Sequence, residues 1–361
     1  MMRRFLRALI DPVDLPLFSI VAILICFSFI LLASASPERL GTQAVNLVAA
    51  LFVMRVAAQM SPQRLMHAAV PLYLLGLLLL VAVALFGDVS KGARRWLNIG
   101  VTRIQPAEIM KIAMPLMLAW YFQKREITIR FYDHMVAAML LLLPVALIAR
   151  QPDLGTALLV LSSGFYVIFF AGLPWKFIVG LAVTAFAAIP LVWPLMHDYQ
   201  RERVLTLFDP ESDPLGKGFH IIQSTIAIGS GGLFGKGWGQ GTQTQLEFLP
   251  ERHTDFIFAV ISEEWGLLGN MLLLLIYSLL IARGLMIAAQ APTLFSRLLA
   301  GSITLMFFTY AFVNMGMVSG ILPVVGVPLP FISYGGTSLV TLFLGVGILM
   351  SIHKNHMLVQ K

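Results

Sequence analysis

The stretch Leu249 to Gly266 reads Leu-Pro-Glu-Arg-His-Thr-Asp-Phe-Ile-Phe-Ala-Val-Ile-Ser-Glu-Glu-Trp-Gly, the densest run of ionisable residues beside a long apolar segment. Polar residues around Pro250 predict a loop, and from Asp255 to about Ile281 the chain predicts an apolar helix. Asp255 therefore falls where water meets lipid. A carboxylate at that depth is costly unless it is paired, hydrated or in use, which makes it a functional candidate; the plainer reading is a helix N-cap, a role Asp fills well. Glu263 and Glu264 follow about two turns further on, so only part of the acidic set can share one face, and one of the two is expected to be structural or paired. Glu108 and Lys111, three apart, meet on one helix face as an intramembrane pair. That pair either braces the bundle or lines a polar cavity open to the outer face near Asp255. Lys91, Arg94, Arg95 and Arg103 form a basic patch suited to an anionic ligand such as a pyrophosphate.

The elements that must hold these residues are set by composition. With 58% hydrophobic and 12% charged residues, the chain is predicted to be an all-α polytopic membrane protein, read as a single domain over 1–361. About ten helices near the length a bilayer demands are predicted. They run from Leu15 to Ala33, Gln43 to Ala58, Ala68 to Phe86, Pro106 to Phe122, Met135 to Ile148, Leu154 to Phe170, Phe177 to Leu195, Phe256 to Ile281, Ala300 to Val318 and Thr337 to Ile352. The first is too long for a secretory signal, although Ala33-Ser34-Ala35 resembles a cleavage site. Arg3, Arg4, Arg7, Arg55, Arg64, Lys124, Arg125, Arg130, Lys176, Arg283, Arg297, Lys354 and Lys361 then share one side, which is the cytoplasm, with both termini. The segment of about 197–254 becomes one large extracytoplasmic loop, and Ser319 to Tyr334 a short one. The basic patch at 91–103 breaks the rule unless the third span is misplaced.

The net charge of +7 is scattered over short loops, so nucleic acid is not a partner. Cys26 has no partner within the chain, so disulfides say nothing about compartment. Gly229-Ser-Gly-Gly-Leu-Phe-Gly-Lys-Gly-Trp-Gly239 lacks the spacing of a phosphate loop and is assigned to a flexible outer loop. His67, His134, His197, His220, His253, His353 and His356 show no metal-ligand spacing, and no internal repeat is evident.

Five motifs resemble signatures of the shape, elongation, division and sporulation family: Lys91-Gly-Ala-Arg-Arg-Trp96, Gln105-Pro-Ala-Glu108 with Lys111, Gln151-Pro-Asp-Leu-Gly-Thr156, Leu249 to Phe258, and Gly326-Val-Pro-Leu-Pro-Phe-Ile-Ser-Tyr-Gly-Gly336. Met196-His-Asp-Tyr-Gln-Arg201, Asp209-Pro-Glu-Ser-Asp-Pro-Leu-Gly216 and Met350-Ser-Ile-His353 favour its elongation branch. Ala107 stands where the family more often carries Ser, which touches only local capping. The resemblance implies a peptidoglycan glycosyltransferase that polymerises lipid II at the outer face of the inner membrane during elongation and rod-shape maintenance, together with a class B penicillin-binding protein. It also implies Asp255 as catalytic residue and Glu108 with Lys111 as the intramembrane pair. Joining two sugars needs a base and positive charge on the departing diphosphate. Asp255 can be the base; Arg94, Arg95, Arg103, Arg201, Arg203 and Arg252 are candidates for the charge. A divalent cation, Mg or Mn, would also serve, though the sequence shows no cage for one. The rival readings are a lipid II flippase, since polar groups within spans mark transport paths too, and a scaffold that only recruits a transpeptidase.

Overall fold

The structure is a computed structural model that describes residues 13–90, 93–98, 103–196, 198–212, 217–249 and 251–359. Arg3, Arg4, Arg7, Lys91, His197, Asp213 to Gly216, Pro250 and Lys361 lie outside the described residues. Each predicted apolar segment falls on a helix: α1 (Leu15–Ala35), α2 (Leu40–Gln59), α3 (Pro62–Phe86), α4 (Pro106–Lys124), α5 (Phe131–Arg150), α6 (Leu154–Phe170), α7 (Trp175–Val192), α11 (Ile257–Gln290), α12 (Leu294–Val318) and α13 (Gly336–Val359). Among the described residues, seven of these are long and apolar enough to cross a membrane; α6 and α7 are shorter apolar helices. The molecule is a polytopic membrane protein whose apolar segments are all helices.

Local chemistry sets the helix starts. Asp14 accepts from Leu17 N–H at 2.8 Å, Ser61 caps α3 ahead of Pro62, and Asp153 accepts from Thr156 N–H at 3.2 Å. α4 and α12 are buried nearly all round, whereas α2 and α3 expose Val48, Phe52 and Leu78 as a rim of the bundle would in lipid. Two tethers tie helix ends at one face of the bundle. Arg283 and His353 both pair with Asp14, and Gln123 accepts from Phe295 N–H at 2.7 Å.

The basic segment between α3 and α4 is a small antiparallel sheet, β1 (Asp88–Ser90), β2 (Ala93–Asn98) and β3 (Arg103–Ile104), where a plain loop was expected. The predicted outer loop carries three helices, α8 (Asp198–Phe208), α9 (Lys217–Ser230) and α10 (Thr242–Gln245). Its glycine-rich part is not the flexible loop expected from sequence. α11 breaks at Gly266 (φ 64, ψ −157), nine residues in and so about 14 Å along the helix. A broken helix strands backbone polar groups that lipid cannot satisfy. The loop after α9 supplies them: Lys236 and Gly237 N–H donate to Glu263 and Glu264 C=O at 2.9 and 3.0 Å, while Gly232 and Leu233 C=O accept from Leu267 and Leu268 N–H at 2.9 and 3.1 Å. Glycine is required because the backbones touch. A Cβ on Gly231 would lie 1.9 Å from Ser262 O, and one on Gly235 2.1 Å from Glu264 O.

Candidate active site

Asp255 lies just before α11. Thr254 and Phe256 N–H both donate to Glu251 C=O, at 3.1 and 3.2 Å, so the chain turns tightly, and Phe256 takes the N-cap position of a helix that begins at Ile257. The reading of Asp255 as a helix cap is thereby corrected. Three successive carbonyls of the turn are held from outside it. Tyr334 N–H donates to His253 O (2.8 Å), Ser333 Oγ to Thr254 O (2.6 Å) and Asn314 Nδ2 to Asp255 O (2.8 Å). The backbone is fixed while the Asp255 side chain stays half-buried.

The arm that does this, Gly326 to Tyr334, is itself over-determined. Asn314 Nδ2 also donates to Val327 O at 2.7 Å, Tyr277 OH to Pro330 O at 2.6 Å and Ser28 Oγ to Ile332 O at 2.6 Å, and Phe331 packs edge-on against Phe307 and Phe343. Gly326 sits at φ +72, and a Cβ there would come 3.3 Å from Asp255 Oδ2. Behind the arm stands the start of α6, where a Cβ on Gly155 would meet Val325 O at 2.6 Å. Asp153 accepts from Gln105 Nε2 at 2.8 Å, and Arg95 Nη2 donates to Pro152 O at 2.5 Å. A chain of contacts thus links parts of all five motifs and ends at this turn.

The cations divide into two kinds. Arg95 is bonded as above, Arg252 donates to Ala35 O (2.7 Å) and pairs with Glu247 (2.9 Å), and Arg201 donates to Trp193 O and Pro194 O at 2.9 and 2.5 Å. Through these bonds all three brace the backbone, each with part of its guanidinium. Arg94 is exposed on β2, Arg103 opens β3, and Arg203 lines a small cavity of about 140 Å³ with Thr206 and His220. The His220 ring stacks on Phe256 at 5.7 Å, next to Asp255. One cation was missed. Arg39 lies 5.1 Å over the Tyr334 ring, which stands 5.8 Å from His253. In the ten-helix reading Arg39 falls between the first two spans, on the same side as 91–103, so the charge rule that singled out that patch applies to it as well. Burial pushes the His253 imidazole below its ordinary value, with Arg39 adding to the shift; burial does the same at His220, against Glu251.

Glu108 and Lys111 form a 2.6 Å ion pair in the core, and Lys111 also donates to Tyr310 OH at 2.6 Å. The carboxylate faces a mostly apolar groove of about 580 Å³ between α2, α3, α4 and α13, and its Oε2 is buried without a protein partner. Asp255 does not line that groove; Gly336 does, two residues from Tyr334, so the arm joins the two places. Glu263 and Glu264 are both engaged. Glu263 pairs with Lys236 (2.8 Å) and accepts from Gln243 and Thr244 N–H at 3.0 and 3.2 Å, while Glu264 accepts from Ser34 Oγ. They hold the loop in the helix break. Among the described residues, no three acidic, His or Cys side chains come together as a metal cage.

Comparison with known proteins places this geometry. Peptidoglycan glycosyltransferase MrdB of Escherichia coli K12 is 53% identical over 347 residues, covering 95% of this chain and 94% of that protein. A chain from "Structural coordination of polymerization and crosslinking by a peptidoglycan synthase complex" superposes with a TM-score of 0.83 at 40% identity, covering 95% and 98%. The crystal structure of Thermus thermophilus rod shape determining protein RodA gives a TM-score of 0.72 at 34% identity, covering 95% and 97%. The family FTSW_RODA_SPOVE, described as "Cell cycle protein", matches residues 14–358. This chain belongs to the FtsW/RodA/SpoVE family.

Proposed function

We propose that this protein is a peptidoglycan glycosyltransferase that joins lipid II units into glycan strands at the outer face of the cytoplasmic membrane, with Asp255 as general base. The name of the Escherichia coli relative supports the activity. The observation that carries the assignment of Asp255 is its placement: a half-buried carboxylate on a clamped turn, one arm away from a mostly apolar groove of about 580 Å³. Asp255 removes the proton of the acceptor hydroxyl, the freed oxygen attacks the anomeric carbon of the donor, and the bond to the diphosphate breaks with its electron pair on the leaving group. Arg39, Arg94 and Arg203 supply positive charge for that diphosphate. Orientation follows from the basic helix ends, which put the face tied by Asp14, Arg283 and His353 in the cytoplasm.

The flippase reading gains one observation, the break in α11, since transporters build substrate sites from broken helices. Here the loop 232–237 fills the break. Purified protein given lipid II and no other polymerase decides between them, because polymer forms only if this chain is a transferase. Asp255→Asn keeps size and most hydrogen bonding but loses the basic oxygen, so polymer should fall by about 10²- to 10⁴-fold with unchanged thermal unfolding. Near-normal polymer from that variant would remove Asp255 from the chemistry. The structural neighbour that couples polymerisation to crosslinking supports a class B penicillin-binding protein as partner. A groove between α11 and α12 suits its single span: Phe308 and Phe312 are exposed on its wall, with Ser278, Ala311 and Gly316 as small residues along it.

A further inference from the structure

At the face opposite Asp255, α5, α6 and α7 leave between them a crevice of about 680 Å³. Its walls are apolar, with Met135 and Leu141 from α5 and Phe165 from α6, and Phe131 stacks on Phe177 across it at 4.2 Å. α7 stands off from the bundle, exposing Val179, Leu181 and Phe186. An apolar gap open to a bilayer gives water too few partners and takes hydrocarbon instead.

Two observations say what that hydrocarbon carries. Lys176 lines the crevice and is exposed, and Arg130, exposed as well, immediately precedes α5. The nearby acid, Asp133, does not cancel them. It is taken up by Arg130 N–H (2.8 Å), Tyr121 OH (3.0 Å) and Arg125 (3.7 Å). Independently, His134 lines the crevice at 7% exposure, and its Nε2 is buried with no partner while Nδ1 faces Arg130 C=O at 3.2 Å. A buried polar atom left like this calls for a ligand atom. With Nδ1 donating to the carbonyl, Nε2 is the acceptor left for a headgroup hydroxyl. Tyr132 and Trp175, 68% and 71% exposed, flank the site as interfacial aromatics do.

We propose that this crevice binds an anionic phospholipid of the leaflet that Lys176 faces, its phosphate drawn by Lys176 and Arg130, its headgroup bonded by His134 and an acyl chain lying between α5 and α7. The site is independent of Asp255 and of the glycosyltransferase reading. Native mass spectrometry of the purified full chain, titrated with phosphatidylglycerol and with phosphatidylethanolamine of the same acyl chains, tests it. One phosphatidylglycerol should be retained about tenfold or more tightly than phosphatidylethanolamine. Removing both cations (Lys176→Ala with Arg130→Ala) should weaken it roughly 25-fold, about fivefold for each charge. Gly180→Leu places its side chain in open space at the crevice and favours the helix, so it should expel both lipids while the protein elutes as before. Equal retention of the two lipids by the wild type, or unchanged phosphatidylglycerol retention in both variants, overturns the proposal. So does a lipid-independent dimer that Gly180→Leu disperses, since a second copy would then be the occupant.

Discussion

Asp255 and Lys111 show how differently two buried-edge charges are treated. The Asp255 turn is held from outside by Ser333, Tyr334 and Asn314, and Gly326 lies close to its carboxylate. Gly326→Ala therefore adds a methyl 3.3 Å from Asp255 Oδ2 at a φ of +72, with about 1–2 kcal/mol of backbone strain. Polymer formation should drop by more than the small loss of thermal stability predicts, and equal loss in both would show that Gly326 serves folding only. Lys111 instead answers Glu108 and Tyr310 deep in the core. Lys111→Ala strands the Glu108 carboxylate, a state that costs about 3–5 kcal/mol in comparable buried pairs. Exchanging the two residues should unfold at a temperature nearer wild type than Lys111→Ala does. If the exchanged protein is stable yet inactive, the pair acts on substrate through the groove that Glu108 lines.

Among the elements, α11 departs furthest from what sequence shows. A Cβ at Gly266 would lie 2.4 Å from Gly235 N and 2.8 Å from Leu233 O, both backbone atoms that cannot step aside. Gly266→Ala should destabilise the protein by about 3 kcal/mol or more, combining backbone strain with overpacking; a melting temperature within a degree or two of wild type in detergent would contradict the break as drawn. Periodicity and length made the apolar helices legible, since a bilayer leaves few alternatives to a helix. The break was not legible, because Gly266 within a long apolar run is also an ordinary transmembrane glycine. Nor did Gly229 to Gly239 reveal its role. Its glycines make close approaches to a helix that begins 18 residues after the last of them, and that meeting exists only in three dimensions. Asp255 stood out as a candidate by its depth and Arg39 was open to the charge rule, but the meeting of Arg39 with Tyr334 beside that turn needed the fold, since some 300 residues of chain separate them.

At the scale of the molecule, a buried centre of α4 and α12 is wrapped by helices that present apolar side chains outward, so lipid and partner compete for the same surfaces. The groove between α11 and α12 is the proposed seat of a transpeptidase span. Ser278→Trp, at an exposed position on its wall, fills it from the outside and should abolish co-purification of the partner in mild detergent, while leaving the isolated protein folded. Undiminished one-to-one recovery would move the interface elsewhere. The break in α11 also sets an order of birth. Gly232 to Gly237 leaves the ribosome well before Glu263 to Leu268, yet each stretch holds the other's missing hydrogen-bond partners. Neither can rest in hydrocarbon alone. The loop must wait at the membrane edge until α11 arrives, and the two then enter as a single insertion unit. A translocon that released α11 first would release it with its middle unsealed, so α11 needs the loop from 229 onward to settle into a membrane in its native form.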